Sequence, residues 1–242
     1  MPPSSDSFTL SYQQSFSFLK NLCSHQQFKI ELLSAKSRCF VFNDLNEKIL
    51  EFQFPLCFPN YQTGQNPLDY SESLTPVPVP YIILLIRAGQ SALGFFDRGE
   101  VVEHKVIRKY MVRKKQGKAQ IKFQKHKKSF GPGARIRMIN SISFFEEINL
   151  TLQDWFKSNP VHKIIYSCTP LIWSMVFRSK ISPPFDKQDQ RLIKIPVHLP
   201  HPLFKTLLYV NRYAQCGQCK LYKQPDQDSA KVIDTFLSSI FS

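Results

Sequence analysis

Carboxylates are missing from 42 consecutive residues of this sequence: no Asp or Glu falls between Glu103 and Glu146. The evenly mixed charge that serves solubility is excluded there. Long apolar runs are missing as well. The strongest, Tyr81 to Ile86, falls far short of the ~18 to 20 residues that a membrane-spanning helix needs, so no membrane association is expected. The first twenty residues lack a basic segment followed by an apolar one, so a secretory leader is not expected and a cytoplasmic location is. No second Cys-x-x-Cys or His pair follows Cys216-Gly-Gln-Cys219. A structural zinc needs four ligands, and Cys23 and His25 would complete the set only if the fold brought them close. The six cysteines (Cys23, Cys39, Cys57, Cys168, Cys216 and Cys219) therefore read as reduced thiols. No metal and no small-molecule cofactor is expected, and a monomer is.

What is present is ordinary globular material with one anomaly. Hydrophobic residues make up 43% of 242 and charged residues 21%, which excludes a disordered chain and suffices for one large or two small domains. Yet 32 Lys and Arg against 18 Asp and Glu leave a charge of +14. The surplus is concentrated in the acid-free stretch, which holds Lys105, Arg108, Lys109, Arg113, Lys114, Lys115, Lys118, Lys122, Lys125, Lys127, Lys128, Arg135 and Arg137. Without these 13, the remaining 19 bases and 18 acids give +1. A basic surplus gathered in one place is the footprint of a polyanion partner.

Patterning divides the chain into regions. Residues 1–58 read as a β-rich N-terminal region: residues 28–32 and 49–54 alternate, 39–42 is apolar, and a helix is predicted over Tyr12 to Leu22. Residues 59–80, with Pro59, Pro67, Pro76, Pro78 and Pro80, favour extended or turn backbone and read as a connection between two units. Residues 81–222 read as the main domain. A buried strand over Ile82–Ile86, a strand over Leu93–Phe96, a turn at Asp97-Arg98-Gly99 and a long strand over Val101–Val112 form a meander. Arg113 to Gly131 has no apolar period and reads as a long loop, a kind of segment that tends to be functional. Met138, Ile142, Phe145, Ile148, Leu152 and Trp155 then recur at helical spacing. A strand is predicted over Lys163–Cys168, a short helix over Leu171–Phe177, a strand over Leu192–Val197 and a last helix over His201–Ala214. Residues 223–242 read as a tail or peripheral helix. The fold class expected is α/β, of the α+β kind, with a mixed sheet covered by helices.

Within the loop, cations interleave with Tyr110, Phe123 and Phe130. Cations neutralise phosphates while rings stack on unpaired bases, a combination suited to RNA. A solvated charged loop is the alternative. At the helix start, Gly131-Pro132-Gly133 followed by Arg135 and Arg137 offers first-turn amides to a phosphate. The string Gly117-Lys118-Ala119-Gln120 joins a glycine that lets backbone pass close to a surface with an amide that orients a water or hydroxyl. His104 and His126 are either surface residues or aids to proton transfer.

The stretches Ile82–Gly89, Gly94–Gly99 and His104–Gln120, continued by Gly133–Arg137 and Asn140, and later by Ile195-Pro196 and His201–Phe204, resemble the release-factor-like domain of the Vms family. These are ribosome-quality-control proteins related to the ankyrin-and-zinc-finger tRNA hydrolase. The resemblance covers about residues 79 to 215 and is most specific from Tyr110 to Gln120. It implies a domain similar to the central domain of eukaryotic-type class I peptide release factors, with a ribonuclease-H-like mixed sheet. It implies that Gly117 and Gln120 match the family's Gly-x-x-Gln, Gln120 being the catalytic-loop residue. RNA contacts would come from Tyr110, Arg113, Lys114, Lys115, Lys118, Lys122, Lys125, Lys127, Lys128, Arg135, Arg137 and Asn140. The partners implied are the large ribosomal subunit and peptidyl-tRNA, broken near the tRNA 3′ CCA end or at the ester. Where relatives commonly carry Arg-Arg-Tyr-Asn-Glu, this chain has Arg137-Met138-Ile139-Asn140-Ser141. A non-catalytic ribosome-associated or RNA-binding module with the same fold is the alternative expectation.

Overall fold

Ser11 stops the first strand and starts the first helix: its Oγ accepts from the Gln14 amide at 3.3 Å while Gln14 Oε1 accepts from the Ser11 amide at 2.9 Å. Two otherwise orphaned donors are satisfied by this reciprocal pair. The computed structural model describes residues 7–33, 37–62, 64–111, 132–197, 199, 201–222, 231–233, 235 and 238. Its chain divides into two compact units, one of Met1–Tyr81, Asp97–Glu100 and Tyr209–Ser242, the other of Ile82–Phe96 and Val101–Leu208.

The first unit is a five-stranded antiparallel sheet. Strands β1 (Ser7–Leu10), β2 (Lys29–Leu33), β3 (Arg38–Phe42), β4 (Lys48–Gln53) and β10 (Gly217–Leu221) lie in the order β1-β10-β4-β3-β2. Alternation buries Cys39 and Val41 of β3 and Cys219 of β10 on one face. Helix α1 (Tyr12–Ser24) lays Tyr12, Ser15, Phe18, Leu19 and Leu22 inward, a stripe at three- and four-residue intervals. Phe18 meets Phe52 edge to face at 5.4 Å. Gly217 lets β10 come this close, since a Cβ there would stand 2.5 Å from Ser15 Oγ and 2.7 Å from Phe52 Cε2.

The Pro-rich stretch 59–80, expected to be extended or turn backbone, contains a helix, α2 (Pro67–Ser73). Asn66 caps it by accepting from the Leu68 amide at 2.9 Å, and Pro67 at the first helical position needs no partner for an N–H it lacks. Tyr70 is buried there, donating from Oη to the Pro59 carbonyl at 2.9 Å. Prolines that forbid a helix interior are thus compatible with a helix start.

In the second unit, β5 (Tyr81–Arg87), β6 (Gln90–Asp97), β7 (Glu100–Arg108), β8 (Lys163–Ser167) and β9 (Leu192–Lys194) form a sheet in the order β7-β6-β5-β8-β9. Two-residue turns join β5 to β6 and β6 to β7, a connection that antiparallel neighbours allow. Strands β8 and β9 pair in parallel, with Ile164 opposite Leu192. The sheet is therefore mixed, and the protein is a mixed α/β structure. Strand β9 stops at Lys194, three residues before the end of the predicted strand.

Helices cover this sheet. From α3 (Pro132–Ser158), Phe144, Phe145, Ile148, Leu152 and Trp155 pack with Ile82, Leu84, Ile86, Leu93 and Phe95. Helix α4 (Pro170–Arg178) adds Ile172 and Val176 to the same cluster. Leu207 of α5 (Phe204–Ala214) lies against Gly94, where a Cβ would come within 2.7 Å of Leu207 Cδ2. Every residue from Tyr81 to Ile86 is buried, which is why this strand reads as an unbroken apolar run.

Met138 and Ile142 share the helical spacing of Phe145, Ile148, Leu152 and Trp155 but are 58% and 44% exposed, and the described buried residues of the helix begin at Phe144. At 1.5 Å per residue a helix of 27 residues is about 40 Å long, more than the core cluster covers. Periodicity shows which residues share a face, and only the neighbouring layer decides how far along it they are covered.

Candidate nucleic-acid interface

The acid-free segment leaves the sheet at the end of β7 and returns as α3. Residues 112–131 lie outside the described residues; they include Arg113, Lys114, Lys115, Gly117, Lys118, Gln120, Lys122, Lys125, Lys127 and Lys128. What the structure describes is the base from which they depart.

Residues of a strand alternate between faces, so Lys105, Ile107 and Lys109 of the β7 segment share one. Ile107 is buried, and the two lysines flank it. On α3, Asn140, Ser143 and Glu147 recur at intervals of three and four and share one face of the helix. These two sets meet. Lys109 Nζ donates to Ser143 Oγ at 3.0 Å and pairs with Glu147 at 3.0 Å, while Lys105 Nζ pairs with the other Glu147 oxygen at 3.3 Å. Asn140 Nδ2 donates to the Tyr110 carbonyl at 2.9 Å. Met111 packs against the core cluster. Partial burial pushes the Glu147 carboxyl up, but hydrogen bonds and charge from Lys109 and Lys105 outweigh it and hold the group below the usual carboxylate range.

Gly89 supports the same corner. It sits at φ +76°, and a Cβ on it would stand 2.4 Å from the Lys109 carbonyl oxygen. The Lys109 amide donates to the Gly89 carbonyl at 2.9 Å, closing the strand ladder at that point. Ala88, Gly89, Gln90, Arg108, Lys109 and Tyr110 outline an open groove of about 300 Å³, with two cations and no carboxylate among them.

Of the predicted RNA-contacting residues, four lie in the described part. Tyr110 is 54% exposed, Arg135 is exposed, and Arg137 is half-buried. Asn140 is engaged with the Tyr110 backbone. Sequence reasoning assigned Asn140 to RNA and overlooked Ser143 and Glu147. The available signal was the i, i+3, i+7 spacing from Asn140, with Glu147 just beyond the acid-free stretch.

Two side motifs are located as well. The His104 ring lies 4.1 Å from that of Phe204, a packing contact with the start of α5. Cys219 is buried in β10, where burial raises its thiol pKa well above the ordinary value, and Cys216 is half-buried. Among the described residues no group of three or more His, Cys, Asp or Glu is placed to hold a metal ion, and no helix is long and apolar enough to cross a membrane.

The fold and this corner define a mixed α/β protein that carries a strongly basic segment between an edge strand and a long helix. Residues 81–221, more than half of the chain, match the Bacteroidetes VLRF1 release factor family, and the chain belongs to that family. It is 29% identical to the tRNA endonuclease ANKZF1 of Mus musculus over 133 residues, 54% of this chain and 18% of that protein. Against the Bos taurus protein of the same name the identity is 29% over 149 residues, 58% of this chain and 20% of that one. The matched stretch is thus about a fifth of the length of these relatives. Among solved structures, the "Vms1 mitochondrial localization core" aligns with a TM-score of 0.43 at 12% identity, over 78% of this chain and 77% of that one.

Proposed function

We propose that this release-factor-family protein frees nascent chains from stalled large ribosomal subunits by breaking peptidyl-tRNA, either near the tRNA 3′ CCA end or at the ester. The observation that carries the reading is the braced departure point of the acid-free segment: Lys105, Lys109 and the Tyr110 carbonyl are tied to Asn140, Ser143 and Glu147. A catalytic loop that works by position needs a base that does not drift. Similarity to tRNA endonucleases supports an RNA substrate.

In this mechanism Arg113, Lys114, Lys115, Lys118, Lys122, Lys125, Lys127 and Lys128 grip ribosomal and tRNA phosphates, with Arg135 and Arg137 beside them at the helix start. Tyr110 offers a ring to a base. Gly117 shapes the loop, and Gln120 aligns the nucleophile. That nucleophile is water on the ester carbonyl or a ribose 2′-hydroxyl on the adjacent phosphate; an amide serves here because it orients without titrating.

The test incubates stalled large-subunit peptidyl-tRNA complexes with wild type and Gln120→Ala, then follows the peptide and the tRNA 3′ end. Equal binding with release by wild type alone supports the reading. Release that survives in Gln120→Ala removes this residue from catalysis, and binding without release by wild type indicates a non-catalytic module. A shortened tRNA identifies RNA cleavage, and an intact CCA end identifies ester hydrolysis.

A further inference from the structure

A second basic cluster lies in the same unit. Where β5, β8 and β9 end, a cleft of about 210 Å³ is lined by residues that include Arg87, Ser167, Cys168, Thr169, Lys194 and His201. Arg87, Lys194 and His201 are basic side chains, and no Asp or Glu is among the described lining residues. Each cation comes from a different element: the end of β5, the end of β9 and the segment before α5. An acid-free cluster assembled from positions 87, 194 and 201 is invisible to any charge-run search.

The chemistry of the lining is specific. Arg87 Nη2 donates to the Leu199 carbonyl, which fixes the plane of a guanidinium whose five N–H donors form a rigid fork. Ser167 and Thr169 add hydroxyls. Thr169 also caps α4, accepting from the Ile172 amide at 3.4 Å, so the positive end of that nine-residue helix lies beside the cations. A guanidinium fork, an ammonium and hydroxyls along one lining suit an anion with several oxygens. Leu85, Ile195 and Val197 give the cleft apolar wall as well, a surface for a sugar or base.

We propose that this cleft is a phosphate subsite that holds one nucleotide of an RNA chain, with the phosphate on Arg87, Lys194 and His201 and the sugar or base against the apolar wall. The inference rests on the reading that the protein acts on RNA. It adds a contact outside residues 104–145.

Cys168 is a built-in reporter. It lines the cleft half-buried, with its thiol pushed up to about 11 by burial and drawn partly back by the charge of Lys194. Alkylation of Cys168 by a small maleimide at mildly alkaline pH, followed by peptide mass spectrometry, reads occupancy of the cleft. The probes are 5′-adenosine monophosphate and a short single-stranded RNA. The expected result is several-fold slower alkylation with the RNA, lost in the double variant Lys194→Gln, His201→Gln, both of which alter exposed side chains. Absence of protection from either probe, or protection that survives the double variant, overturns the proposal. Protection by the mononucleotide with none from RNA overturns the RNA assignment and leaves a nucleotide site. Peptide release is scored separately on stalled subunits. Normal release without Cys168 protection removes the cleft and keeps the proposed function, while RNA protection without release keeps the cleft and removes the peptidyl-tRNA reading.

Discussion

Asn140 and Tyr110 stand thirty positions apart and are joined by one hydrogen bond, Nδ2 to carbonyl oxygen, at 2.9 Å. The bond ties the residues just after β7 to the third turn of α3. Asn140→Ala is expected to lower the rate of peptide release several-fold. Its cost in stability should stay near the ~1 kcal/mol of an ordinary hydrogen bond. Release kinetics and a urea titration on the same variant separate the two effects.

Glu147 gives the brace a pH dependence. Its carboxyl is held below the usual range, chiefly by Lys109 and Lys105 working against the opposing effect of burial. A depressed pKa means the contribution is complete above the unfolded value of about 4.3 and is lost as pH falls through the folded value. Stability of wild type should therefore drop more than that of Glu147→Gln between about pH 5 and 3. Denaturant midpoints across that range test it, and parallel curves would show that the pair contributes nothing.

Gly89→Ala is expected to destabilise the second unit by more than the ~1 to 3 kcal/mol of a left-handed non-glycine residue. The added Cβ also meets the Lys109 carbonyl at 2.4 Å, and that is backbone, which cannot swing away. A midpoint shift with an unchanged denaturant slope is the expected signature.

Ile148 and Ile139 lie on one helix and should behave oppositely. Ile148 is fully buried, and Ile148→Ala should cost about 2 to 5 kcal/mol. Ile139 is 53% exposed, and Ile139→Ala should stay within about 0.5 kcal/mol. Equal costs would mean that the amino-terminal part of α3 is covered in solution.

Replacing Lys122, Lys125, Lys127 and Lys128 by Ala tests the basic segment directly. If each meets a phosphate of single-stranded RNA, the slope of log K against log salt should flatten by about 3. An unchanged slope would make these four lysines bystanders.

Much of this molecule is legible in one dimension. The charge segregation is a property of composition alone, and so is the nearly neutral remainder. Strands such as β5 and helices such as α1 declare themselves because hydrophobic burial imposes a period of two or 3.6, or an unbroken run when both faces are covered. The Gly117 to Gln120 string is likewise visible as a motif beside its basic neighbours. Partnership is not legible in this way. Nothing local in Gly217–Leu221 says that it pairs between β1 and β4, because a strand's ladder bonds are satisfied by any compatible edge and only the assembled core selects one. Nor does the spacing of Met138 and Ile142 reveal that the layer beneath α3 ends before them. Arg87, Lys194 and His201 come together only because β5 and β9 end at one side of the same sheet. Composition and periodicity disclose the basic segment, strands such as β5 and helices such as α1, but not α2 or β10. Tertiary structure decided which of them meet, since contact depends on packing between layers and not on order along the chain.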